Sequence, residues 1–504
     1  MKLLKNTLNI LALCMCHHGI LSAQTVDEFR IGMIAMPPAQ GNPYFTTGTT
    51  PHMFYPAIYD TLTRVNEKGD VEPQIAIHWA QIDRLTWTLD IRQGASFSNG
   101  EPINAETVVS TFKAFSRDDF TTFSLPREFD FIAGMRALNN KTVEITTIAP
   151  QALLPRYMSF FYLLPPNHVA KNGSPGLASD PIGSGPFLVE TWLAQRILLH
   201  YNPTSWRPPK VNQLEALALP QSTTRLQALA SGRIDVAINL GPDDKDTLDA
   251  HGLRLQARNP VRVSVIALNT QTEGSPFTDV RLRQAMNYAV NKKAMTESLM
   301  GGEVEPASQP TPRNAIGFDP TLRPYPYDVD KARALMADAG MAEGFSVIFE
   351  VVAGASSSND AVMQQIAADL AKINVRAEVR PIMYSQVVSK MHQGGWDGHM
   401  FAVDFATGPT MDGLRPIRLH SCAWSTPWYC DSFSQNLYEQ AKIAPTREAR
   451  VTLTQQVIKR YRDEATTILL FPILGMDGLG PRVKTWATLN DRPIYQLAEL
   501  ISDR

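Results

Sequence analysis

From Leu85 to Ile91 apolar and polar residues alternate one for one, the period of a strand with one buried face. The same signal, or a short apolar run bounded by turn residues, marks strands at Phe29–Ile34, Val143–Thr147, Ile234–Ile238, Phe345–Val352 and Val375–Val379. Between them the apolar positions shift to helical spacing. Ala105–Ser116 reads as a helix begun near Asn104, a capping residue, with Glu106 in its first turn. Further helices are predicted over Thr223–Ala230, Val280–Val290, Asp328–Ala339, Asn359–Ile373 and Tyr384–Met391. Gly232 and Gly340 fall where a helix takes its left-handed C-terminal residue. Strands alternating with helices, with Pro208-Pro209 and Gly301-Gly302 among the joins, predict mixed α/β layers.

The first residues break this pattern. Lys2 and Lys5 precede an apolar run, Leu8–Cys16, and Leu21-Ser22-Ala23 supplies small residues before Gln24. That is the charged head, apolar core and exit of a secretory signal peptide, with cleavage expected after Ala23. The run is shorter than the roughly 20 apolar residues that span a bilayer. Two alternatives stay open: a buried N-terminal helix, or a lipoprotein signal at Cys14, where bulky Leu13 stands in place of a small residue.

Export changes how the remaining residues read. Cys14 and Cys16 leave with the signal, so their C-x-C spacing is no metal site. Cys422 and Cys430 remain, and a pair in an oxidising compartment predicts a disulfide, with two free thiols as the alternative. Removing residues 1–23 takes away two lysines and no acids, leaving 45 basic against 49 acidic residues, with no polybasic footprint for nucleic acid. The roughly 480 remaining residues exceed one core, which predicts two or more lobes.

Catalytic motifs are absent from the sequence. Ser184 lies between Gly183 and Gly185 but lacks the G-x-S-x-G spacing. There is no Gly-Lys-Ser/Thr phosphate loop and no H-E-x-x-H. His392 and His399 flank Gly394-Gly395-Trp396-Asp397-Gly398, seven apart with no companion acid motif, and His420 loses Cys422 as a co-ligand if the disulfide forms. No enzyme activity, metal or cofactor is expected.

Several blocks in order resemble the extracytoplasmic solute-binding proteins of family 5, which serve peptide and nickel ABC importers. They are Tyr59-Asp60-Thr61-Leu62-Thr63; Gly69–Ala76 with Trp79; Trp87–Gly94 running through Phe97-Ser98-Asn99-Gly100-Glu101-Pro102 to Ala105-Glu106-Thr107-Val108; Pro181–Phe187; Arg225–Asp235; Pro276–Arg281 with Gln284-Ala285 and Tyr288-Ala289-Val290; and Tyr327-Asp328 with Ala339-Gly340. The resemblance implies a two-lobed fold of the type II periplasmic binding protein kind, with a ligand cleft between lobes and a two-strand hinge. It divides the chain into lobe I at 24–267, with an inserted subdomain at about 67–180, lobe II at 268–480, and a C-terminal return to lobe I at 481–504. Asp60, Arg92, Glu106 and Asp235 are expected to be internal hydrogen-bond partners rather than ligand contacts, since buried charges need pairing.

A binder needs aromatic walls and a few placed charges. Phe401–Tyr429 concentrates both and reads as a long loop hung on the second lobe. Peptide-binding members of the family place an aspartate for the ligand's α-amine after the strand corresponding to His399–Val403. Asp404 falls there, although Phe405-Ala406-Thr407-Gly408-Pro409 departs from the family's usual form, and a loop-capping role is the alternative. Trp424 and Trp428, with Phe405, are expected to wall the cleft. Arg415, Arg418 and Arg127, with Arg313 a weaker candidate, are expected to meet a ligand carboxylate, for which the planar guanidinium is suited. Tyr44 is expected to cap the cleft from lobe I. The resemblance thus implies a monomeric periplasmic receptor that takes a short peptide or similar zwitterion to an ABC permease. Opine-like or metal-chelate ligands, or a non-transport interaction or chemoreceptor module, are the alternatives, because fold does not fix ligand.

Overall fold

The computed structural model describes residues 27–501 apart from 38–39, 46–52, 121–122, 124 and 353–356; the expected signal segment, 1–23, lies outside the described residues. Helices form where the periodicity puts them, and side-chain chemistry sets their ends. Asn104 accepts the Thr107 N–H at 3.1 Å while its own N–H donates to Thr107 Oγ1 at 3.2 Å, starting the helix Ala105–Ala114. Asp328 accepts the Lys331 N–H at 2.9 Å ahead of Val329–Asp338. Gly340, at φ 75°, then turns the chain out of that helix, a conformation open to glycine at little cost. No helix among the described residues is long and apolar enough to cross a membrane.

Three larger sheets organise these elements. A seven-stranded sheet runs, in spatial order, Arg254–Ala257, Met476–Leu479, Val236–Leu240, Glu28–Met33, Gln213–Ala218, Arg196–Tyr201 and Phe187–Trp192. A four-stranded antiparallel sheet, Ala76–Gln81, Thr86–Ile91, Thr142–Thr147 and Ile132–Ala137, lies within the same half of the molecule. The two share one apolar core that includes Phe29, Leu89, Phe161 and Leu214. A five-stranded mixed sheet, Val375–Ile382, Phe345–Val352, Met400–Ala406, Arg262–Leu268 and Thr467–Ile473, forms the second half. Its alternating side chains feed two cores: Ile266, Phe349 and Met400 on one face, Val265, Phe401 and Phe405 on the other.

The chain crosses from the seven-stranded to the five-stranded sheet at 258–261 and returns at 474–475. Both crossings come earlier than the divisions at 267/268 and 480/481 expected from the sequence. The strand Arg262–Leu268 pairs on both sides within the five-stranded sheet, and Met476–Leu479 pairs on both sides within the seven-stranded one.

Arg258, almost wholly buried, stitches the two crossings together. Its N–H donates to Gly475 O at 2.7 Å, its Nε donates to Asp491 Oδ1 at 2.9 Å, and its Nη1 pairs with Asp477. A Cβ on Gly475 would fall 2.1 Å from Arg258 Nη2, so only glycine lets the guanidinium pass. The internal roles expected for the other family-signature charges vary. Asp60 accepts from Arg207 Nε at 2.6 Å and Trp206 Nε1 at 2.9 Å, Asp235 accepts from Arg30, and Arg92 donates to Gln74 O. Glu106 is exposed, 3.8 Å from Lys113.

Candidate ligand-binding site

Asp404 stands on the strand Met400–Ala406, directly opposite Ser264 of Arg262–Leu268. The strand continues through Ala406, so Asp404 is held by sheet pairing and does not cap a loop. Phe401, Val403 and Phe405 point into one core, which leaves Ala402, Asp404 and Ala406 on the opposite face. Toward Met400 that face is core; toward Ala406 it opens.

Arg262 Nη1 donates to Asp404 Oδ2 at 3.4 Å, with the two side chains 32% and 35% exposed. Water reaches a third of Asp404, yet burial among surrounding protein raises its carboxyl pKa above the usual value, with Arg262 pulling the other way. Asp404 thus stands in a partly open recess at the end of an otherwise packed strand face.

Near the end of this strand the two halves of the chain meet. Arg415, on the helix Leu414–Leu419, donates to Ala406 O at 3.3 Å and reaches across to Glu128 Oε1 at 3.2 Å. Glu128 belongs to the short turn Pro126–Phe129 of the first half. Burial raises the carboxyl of nearby Asp130, while Arg127 from the same turn and Arg418 from the facing helix lower it. Arg127 and Arg418 thus lie near Asp130, beside the Arg415–Glu128 contact. Arg127 and Arg418 are exposed, and the Arg418 guanidinium lies 5.9 Å from the Trp424 ring. Arg313 instead lies 5.3 Å from the ring of Phe318.

The expected aromatic walls are elsewhere. Trp428 is buried edge-on to Phe401 and His420. Phe405 is fully buried and stacked on His420 at 3.9 Å. Both belong to the core on the face away from Asp404. Trp424 is half-buried, donates from Nε1 to Met391 O at 2.6 Å, and packs on that same core. Tyr44 is fully buried in the first half and donates to Tyr162 O at 2.5 Å, with Phe115 and Phe120 against its ring; it caps nothing. His420 is buried, and burial lowers its pKa to about 3 against the opposing pull of the Asp404 backbone, so it is a neutral stacking surface. Cys422 and Cys430 are bonded and close the loop that carries Trp424 and Trp428.

Sequence reading missed a second contact between the halves, beside the crossings. Asp412 is fully buried; its Oδ2 accepts from Arg450 Nη2 at 2.7 Å and from Tyr157 Oη at 3.2 Å, and its Oδ1 accepts the Leu414 N–H at 3.1 Å. Arg156 donates to Thr410 O at 2.9 Å and also to Gly69 O, and burial lowers its pKa to about 10. Arg262 was missed as well. Its signal was present: Arg262 and Ser264 are polar positions two apart on one face of a strand that is otherwise apolar.

Residues 70–423 match the model of the bacterial extracellular solute-binding proteins, family 5 Middle. The chain is 27% identical over 471 residues to heme-binding protein A of Haemophilus influenzae, covering 87% of this chain and 85% of that protein. It is 28% identical over 450 residues to di/tripeptide-binding protein 1 of Pseudomonas aeruginosa, covering 82% of each. The crystal structure of an ABC transporter substrate binding protein from Listeria monocytogenes superposes with a TM-score of 0.84 at 18% identity, covering 94% of this chain and 99% of that one.

Proposed function

The chain belongs to the bacterial extracellular solute-binding proteins of family 5, and from that premise we propose that it captures a small zwitterionic solute, such as a short peptide, and hands it to the permease of an ABC importer. The observation that carries this reading is Asp404: an acid held by sheet pairing, about a third exposed (35%), and paired loosely with Arg262 at 3.4 Å. An ammonium entering the recess meets a carboxylate whose surroundings are less polar than water, where charge pairing is stronger than at a free surface. Arg415 stands at the end of the same strand, and its Nε is buried without a partner, which suits it to a carboxylate farther along the ligand. Arg127 and Arg418 complete the rim.

We take the lobes to divide at the crossings, 258–261 and 474–475, with the recess between them. The rim pair Arg415–Glu128 joins the two lobes, so a ligand touching both favours the closed arrangement. The charged head, apolar core and Leu21-Ser22-Ala23 exit support export by a cleaved signal peptide, giving a mature periplasmic protein that begins at Gln24 and acts as a monomer. Family 5 is a family of binding proteins, and binding without turnover is the activity proposed.

Native mass spectrometry of the protein purified from periplasmic extract identifies the retained solute, and calorimetry then measures its affinity for wild type and for Asp404→Asn. Loss of binding in the variant supports the reading. Equal affinities would move the ligand's cation away from Asp404. A radius of gyration that does not shrink at saturation would argue against lobe closure.

A further inference from the structure

Arg262 sits where an amine-binding site has no need of a cation. It lies two residues before Ser264 on the same strand face and diagonal to Asp404 across the pair of strands, so one patch carries a guanidinium, a hydroxyl and a carboxylate. Among the described residues Arg262 donates to Asp404, at 3.4 Å through Nη1. Ser264 is 8% exposed, opposite Asp404 in the strand pair. Ala402 and Ala406, flanking Asp404 on its face, are half-buried and too short to fill the space above the sheet.

We infer that Arg262, Ser264 and Asp404 together receive an α-amino-carboxylate headgroup, in which a free ammonium and a free carboxylate share one carbon. This rests on the solute-binding reading and narrows its ligand class. In the free protein Arg262 and Asp404 neutralise each other through one long contact. The headgroup enters between them. Its ammonium donates to Asp404, its carboxylate accepts from the Arg262 fork, and the Ser264 hydroxyl donates to the same carboxylate. Each protein charge exchanges one loose partner for a charge-assisted bond, and the recess stays electrically balanced. An ordinary peptide N-terminus cannot do this. It offers an ammonium beside a neutral carbonyl, so Arg262 would be left with its charge unanswered close to a second cation, a juxtaposition that disfavours the ligand. Amino acids and γ-glutamyl compounds carry the full headgroup.

A pair of isomers isolates the point. γ-Glutamyl-leucine presents an ammonium and a carboxylate on one carbon; α-glutamyl-leucine has the same composition and separates them. Calorimetry with the full mature protein is expected to show the γ isomer binding at least about tenfold tighter. In Arg262→Gln that preference is expected to shrink to within about threefold, with the melting temperature of the unliganded protein unchanged. Equal affinities in the wild type, or tighter binding of the α isomer, would overturn the inference and leave the solute-binding reading standing. Binding of neither isomer would overturn it too; the wider reading falls separately, if native mass spectrometry finds no solute retained. Should Arg262→Gln fail to fold, the wild-type comparison decides alone.

Discussion

Asp404 and Asp412 stand eight residues apart, each paired with an arginine, and their surroundings could hardly differ more. Asp412 and Arg450 are 0% and 3% exposed and 2.7 Å apart, and Tyr157 and the Leu414 amide also donate to the carboxylate. Burial alone would lower the Arg450 pKa, yet the Asp412 charge outweighs it and the pKa rises. Asp404 and Arg262 are a third exposed, 3.4 Å apart, and joined by one contact. The lesson is about exchange. A charge closed in by fitted partners holds structure, because any rearrangement strands it in a low dielectric. A charge left within reach of water, with one weak partner, can trade that partner for another without passing through an unpaired state.

The comparison breaks most visibly at Asp412. Asp412→Asn leaves Arg450 charged and buried, a loss of about 3–5 kcal/mol of stability for pairs of this kind; urea unfolding followed by tryptophan fluorescence is expected to show a large fall in midpoint. Asp404→Asn is expected to act on binding instead, by about 2 kcal/mol or more, or thirtyfold and upward, for an ammonium-bearing ligand. Its own stability effect runs the other way. A carboxyl whose folded pKa is raised destabilises the ionised protein as pH rises through that pKa, so the variant's melting temperature at neutral pH should not fall. For the same reason, affinity for the ammonium should drop on acidification at a higher pH than an ordinary aspartate would give. If Asp404→Asn unfolds the protein as Asp412→Asn does, the contrast is wrong.

Smaller changes sharpen the contrast. The Cys422–Cys430 bond lies on the core face away from Asp404. Replacing both cysteines by serine is expected to cost about 2–3 kcal/mol of stability, on the chain-entropy model for so short a loop, with solute affinity unchanged by calorimetry. The smallest effect is expected at the rim. Arg415 and Glu128 are about a fifth exposed, and partly solvated pairs of this kind contribute roughly 0.2–1 kcal/mol. Glu128→Gln should therefore change affinity less than about fivefold, and high salt should erase the difference.

Much of the fold was legible because its signals are local. Alternation marked Thr86–Ile91, and Asn104 and Asp328 named their own helix starts. The strand beside Asp404 was expected over 399–403 and in fact runs on through Asp404 to Ala406. The aromatic residues misled for a reason also visible in the sequence: Phe401, Val403 and Phe405 repeat at period two, which places them in a core layer, and Trp428 packs on that layer from a loop. Aromatic density alone does not separate a cleft wall from a core. The Tyr157–Asp412–Arg450 contact was out of reach, because its members are 255 and 38 residues apart and carry no local period.

The stitching of the crossings by Arg258 has a mechanical consequence. Two bodies joined at one flexible point can swivel in three independent ways. Joined at two points held side by side, they can turn only about the line through both. Because one guanidinium and one missing side chain at Gly475 hold the two crossings in register, the closure proposed above would be confined to a single rotational coordinate, like a door on two pins. Glu128 and Arg415 would then travel along one arc and meet in the same alignment each time.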